Sequence, residues 1–97
     1  MIKDNDCVLA AEDLEEGVKK GHGGAVVFDP GYYTESTPLN ERYCEVDFDE
    51  VGDREAVLLT VTHDKLVLTH KWDGVKSVPV PVPEEYQKYL EQYEEDE

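Results

Sequence analysis

Apolar residues in this chain fall in short runs of about four to eight, each closed by charge, glycine or proline, which is the pattern of strands rather than long helices. The first run, residues 7–11, is bounded by Asp6 and Glu12 and predicts a strand. Residues 12–21 (Glu-Asp-Leu-Glu-Glu-Gly-Val-Lys-Lys-Gly) read as a polar loop with room for one helical turn. Gly17 and Gly21 there supply left-handed backbone that a Cβ would penalise. Residues 23–28 form a second strand entered through Gly23 and Gly24, and Asp29-Pro30-Gly31 ends it as a turn. Residues 32–41 show no period and hold Ser, Thr, Pro and Asn, so they predict a loop or hairpin tip.

From Arg42 the alternation is cleanest. Tyr43, Glu45, Asp47 and Asp49 interleave with Cys44, Val46 and Phe48, which predicts a half-buried strand with its odd positions outward. Residues 49–54 make the connecting turn. A more continuous apolar strand follows over 55–62, then His63-Asp64-Lys65 interrupts before a strand from Leu66 to Thr69. After Trp72-Asp73-Gly74 the composition changes. In residues 78–83 Val and Pro alternate, so every second ladder donor is missing and the segment is either polyproline II or an edge strand. Pro83-Glu84-Glu85 resembles a helix start, and Tyr86, Tyr89, Leu90 and Tyr93 then recur at helical spacing as one stripe. The acidic end, residues 94–97, is expected to fray.

Short strands at close spacing with glycine turns predict an all-β fold, a small closed or nearly closed antiparallel barrel. Its expected core is Val8, Leu14, Val26, Phe28, Cys44, Val46, Phe48, Leu58, Val61 and Leu66. Residues 1–70 would form the barrel, and 71–97 a Pro-rich strap and acidic helix belonging to the same domain.

Composition alters this picture in one respect. Hydrophobic content of 39% and six Tyr in 97 residues suit a single folded domain. Yet 24 acidic residues face 9 basic ones, a net charge of -15, and such self-repulsion must be tolerated or relieved by a basic partner. No run approaches the roughly 20 apolar residues of a membrane helix. The first residues lack the basic-then-apolar order of a signal peptide, so a cytoplasmic address is expected. Cys7 and Cys44 lie within apolar strands and read as buried thiols rather than a disulfide.

Candidate chemistry is sparse. His22, His63 and His70 form no metal-ligand pair, and the acids around Asp47, Asp49 and Asp53 lack the glycine and glutamate of a calcium loop. Gly21-His22-Gly23-Gly24 precedes a strand, where a phosphate loop would open a helix. Cys44 beside His63 or His70 is the one nucleophile–base pair that can be constructed. Cys44 faces inward, however, and neighbouring carboxylates raise a thiol pKa. No catalytic residue, metal or cofactor is expected, and the chain is not read as an enzyme. Direct nucleic-acid binding is disfavoured by scattered basic residues. The candidate partner-binding residues are Tyr43, Glu45, Asp47, Asp49, Glu50 and Asp53 on one strand–turn unit, where Glu55 adds a further acid. A second acidic cluster comprises Glu12, Asp13, Glu15 and Glu16, and the helix contributes Tyr86 and Tyr89. The bland alternatives are a solvated acidic face and a helix packed on the barrel.

Several stretches resemble a small bacterial domain-of-unknown-function family over about residues 4–69: Asp6-Cys7-Val8-Leu9, Glu12-Asp13-Leu14, residues 18–27, Tyr43-Cys44-Glu45-Val46-Asp47-Phe48 and residues 59–66. The sequence departs at Ala25, where the family has Thr, and in an insert over 32–41. The resemblance implies an SH3-like barrel, brings no catalytic residues, and suggests a partner in a toxin-neutralising gene pair. The expected function is therefore an acidic, non-enzymatic protein that occludes a basic protein surface, most concretely an immunity protein or antitoxin neutralising a nuclease toxin. Two alternatives stay open: a phage-type nucleic-acid mimic that inhibits a host defence complex, and a housekeeping barrel of a salt-adapted organism.

Overall fold

The structure is a computed structural model, and it describes residues 2–29, 31 and 34–94, with no side-chain description for Glu50 or residues 91–94. Pro30 of the expected turn, Tyr32 and Tyr33 of the expected loop, Tyr93 of the helical stripe and the acidic end 95–97 accordingly lie outside what is described. Among the described residues there are six strands, β1 (Cys7–Ala10), β2 (Gly23–Phe28), β3 (Tyr43–Val51), β4 (Arg54–Thr62), β5 (Leu66–Trp72) and β6 (Ser77–Pro79), the first five on the predicted runs, with β3 and β4 extending into the turn expected over 49–54. One helix, α1 (Glu84–Glu94), closes the chain, and short 3-10 turns occupy Glu15–Gly17, Leu39–Glu41 and His63–Lys65. All pairings are antiparallel, in the order β4-β3-β2-β1-β5-β6. The all-β expectation therefore holds as one six-stranded antiparallel sheet with a C-terminal helix. The Val-Pro segment opens as a short edge strand, whose Pro79 lies opposite His70.

The core follows from period-two alternation. Cys44, Val46 and Phe48 on β3 are at most 1% exposed, and they pack with Val8, Ala10, Val18, Val26 and Val61. β1 lies between β2 and β5, and its Val8, Leu9 and Ala10 are all buried. Leu9 falls outside the main cluster and, with Asp49 of β3 and Leu90 of α1, lines a small cavity on the face of the sheet opposite the core. The helix is anchored beside it: Tyr86 is 8% exposed and donates to the Ala11 carbonyl at 3.3 Å. Gly21 has φ +88°, and a Cβ there would strike the Tyr89 ring, so a left-handed turn and a close approach meet at one residue.

Two expected core residues are not in the core. Phe28 is 50% exposed and Leu58 57% exposed. The register between β2 and β3 shifts between Val26 and Phe28, which leaves Phe28 opposite the outward Glu45. On β4, Val57 and Val61 face inward, so Leu58 at the opposite parity must face out. Leu14, also expected inside, is partly buried against the core.

Candidate functional site

The outward face of β2–β3–β4 gathers the first set of sequence candidates. Tyr43 and Asp49 are exposed and Glu45 and Asp47 half-buried, while the intervening even positions are buried. Carboxylates two apart on a strand recur about every 6.6 Å, so Glu45, Asp47 and Asp49 form a row. The register sets Glu45 opposite Thr60 and Phe28, Asp47 opposite Leu58 and Ala25, and Asp49 opposite Ala56. The row thus runs between exposed Phe28 on one side and exposed Leu58 on the other, with Tyr43 at its head. Among the described residues none of these three carboxylates has an ion-pair partner. Asp53 is exposed in the β3–β4 turn. The side chain of Glu50 is outside the described set.

The second acidic cluster sits in the β1–β2 connection. Asp13 accepts from the Lys20 amide at 3.0 Å and lies 4.0 Å from Lys19. Glu16 pairs with Arg54 at 3.1 Å, and the same guanidinium also donates to the Glu16 carbonyl. These contacts hold the loop beside the start of β4, and Glu12 and Glu15 stay exposed without an ion pair among the described residues. An open groove of about 800 Å³ is lined by Asp13, Leu14 and Glu15 of this connection together with Tyr43, Leu58 and Thr60 of β3 and β4. The sequence gives no sign of this groove, because its lining joins the β1–β2 connection to the far end of β4, segments distant along the chain.

Tyr86 and Tyr89 serve α1 packing in this structure. Tyr86 is buried, with the Lys20 ammonium 5.5 Å from its ring centroid, and half-buried Tyr89 covers Gly21.

A buried polar cluster stands apart from the acidic face. His63 is 3% exposed, with Nε2 3.4 Å from an Asp29 carboxylate oxygen. Arg42, 5% exposed, donates to the carbonyls of Thr34, Glu35 and Thr37. Burial above all, with Arg42 adding to it, pushes the His63 pKa down against the pull of Asp29. Cys44 donates to the Val61 carbonyl at 3.6 Å, and burial, reinforced by Asp29 and Asp4, pushes its thiol up to about 12. A thiol so placed is a poor nucleophile. Among the described residues no group of His, Cys, Asp and Glu is arranged to hold a metal ion. No described helix is long and apolar enough to cross a membrane.

Comparison with known proteins found no matching family model, curated protein or solved structure.

Proposed function

We propose that this protein is a non-enzymatic, acidic binding protein that occludes a basic surface on a protein partner, most concretely a cytoplasmic immunity protein or antitoxin covering the active site of a nuclease toxin. The observation that carries the reading is the outward face of β3, where Glu45, Asp47 and Asp49 lie in line between exposed Phe28, Leu58 and Tyr43. Apolar and aromatic anchors inside a charged rim are the composition of a protein interface. Unpaired carboxylates supply long-range attraction to a basic partner and speed the encounter. The likeness to the bacterial barrel family points the same way. Strand order β4-β3-β2-β1-β5, with a 3-10 turn between β4 and β5, supports an SH3-like arrangement.

The reading is tested by charge reversal. Glu45→Lys with Asp47→Lys is expected to abolish partner binding and leave the fold intact, because neither side chain has an ion pair to lose among the described residues. Reversal of Glu95, Asp96 and Glu97 is expected to cost far less. Binding is read by co-purification with the product of the adjacent gene, and fold by circular dichroism. Equal losses from both sets would show that total charge alone matters.

A further inference from the structure

β4 ends the sheet, and among the described residues it pairs only with β3. The register shows which of its backbone groups are left over. Tyr43 lies opposite Thr62, so Arg42 lies opposite His63, and the His63 amide donates to the Arg42 carbonyl at 2.8 Å. Hydrogen-bonded pairs recur at every second position of an antiparallel ladder, which makes Cys44–Val61 and Val46–Leu59 the bonded pairs. The far side of the sheet agrees: Val26 exchanges its backbone bonds with Asn5 and Asp6, so its partner Val46 directs its own toward β4. The N–H and C=O groups of Leu58 and Thr60 and the N–H of Thr62 therefore point away from β3, toward the groove that Asp13, Leu14 and Glu15 also line, while the Thr62 carbonyl is taken up by the 3-10 turn that follows.

Such an edge invites another strand. From Ala56 to Thr62 it carries no charge and no proline, the usual edge defences. Its groove is lined instead by Asp13, Glu15 and Asp64 against one cation, Lys65. A second copy would bring another net charge of -15 to the same place. A basic strand would find carboxylates beside a backbone ladder, and Leu14 and Leu59 for its alternate apolar side chains.

We propose that the β4 edge is a strand-addition site. An extended basic segment of the partner, alternating cationic with apolar residues, pairs antiparallel with Leu58, Thr60 and Thr62 and lies in the groove against Asp13 and Glu15. Main-chain bonds give affinity in this mode, and alternate side chains give specificity. The proposal rests on the acidic-binder reading and adds the partner's conformation to it.

The test uses the full chain and a short capped peptide of alternating lysine and valine at low salt. Titration is followed by amide shifts and by hydrogen exchange at Leu58, Thr60 and Thr62. The wild type is expected to bind this peptide, to protect those three amides, and to ignore a glutamate–valine counterpart. Thr60→Pro removes only an outward N–H, which an edge strand tolerates, and is expected to weaken binding at least about tenfold. Thr60→Lys, a milder change, should weaken it in the same direction. Undiminished binding by both Thr60 variants, with loss in the Glu45→Lys/Asp47→Lys protein, would overturn strand addition and leave the acidic-face reading standing. Failure of the wild type to bind the peptide would likewise overturn the edge proposal alone, since the broader reading is tested on the native partner. Protection of the same amides by self-association without peptide would assign the edge to a second copy and overturn it too.

Discussion

Asp6 has one acidic side chain's worth of work inside the fold. It is 1% exposed and accepts from the Lys3 and Trp72 amides and the Lys71 ammonium at 2.7–2.9 Å. Burial alone would raise its pKa, but the bonds from Lys71, Trp72 and Lys3 outweigh it and hold the carboxyl below its ordinary value. The unfolded chain therefore takes up this proton first, so the stabilisation is complete above the unfolded carboxylate pKa and is lost as pH falls through the folded one. His63 acts in the same direction at higher pH. Its folded pKa is lowered, so acidification below about 6.5 protonates the unfolded chain preferentially and lowers stability. Urea midpoints of the wild type, His63→Gln and Asp6→Asn across this range should differ accordingly, with the first variant losing the slope below neutrality and the second losing the acid limb. Midpoints that move in parallel at every pH would contradict both assignments. Side-chain position is tested separately. Phe48→Ala should cost about 3–5 kcal/mol, since that ring is fully buried, whereas Leu58→Ala should stay within about 1 kcal/mol because the side chain projects outward.

The elements were legible in the sequence because each strand carries its own signature. The alternation in β3 marks which of its side chains are buried, and Gly17 and Gly21 do adopt positive φ. Leu58 and Phe28 depart from the expected core for different reasons. A continuous apolar run such as 56–61 has no phase, so inward and outward residues cannot be told apart until a partner strand sets them. At Phe28 the phase was present but a register shift broke it. The groove is illegible in the sequence because its lining, Asp13 to Glu15 against Leu58 to Thr62, is brought together only by tertiary structure. The seat of α1 yields its own test. Gly21→Ala must leave the left-handed region and displaces the Tyr89 ring, so a loss of about 1–3 kcal/mol is expected in denaturant unfolding. A neutral result would mean that Tyr89 does not rest on that turn.

At the scale of the whole molecule, a net charge of -15 sets how the protein meets other surfaces. Among the described residues, Asp6 and Asp29 are interior acids engaged by Lys71 and His63, and the others are exposed or half-buried, where salt screens them. Partner affinity should fall steeply as salt rises, chiefly through a slower association rate. Binding through the β3 face predicts a different outcome from binding through total charge. The most direct measurement compares the proteins retained from native lysate at low salt by the wild type and by Glu45→Lys/Asp47→Lys, identified by mass spectrometry. The account predicts one strongly basic protein, encoded beside this one, held by the wild type and absent from the variant. Equal retention by both proteins, or no basic protein on the wild type, would contradict it.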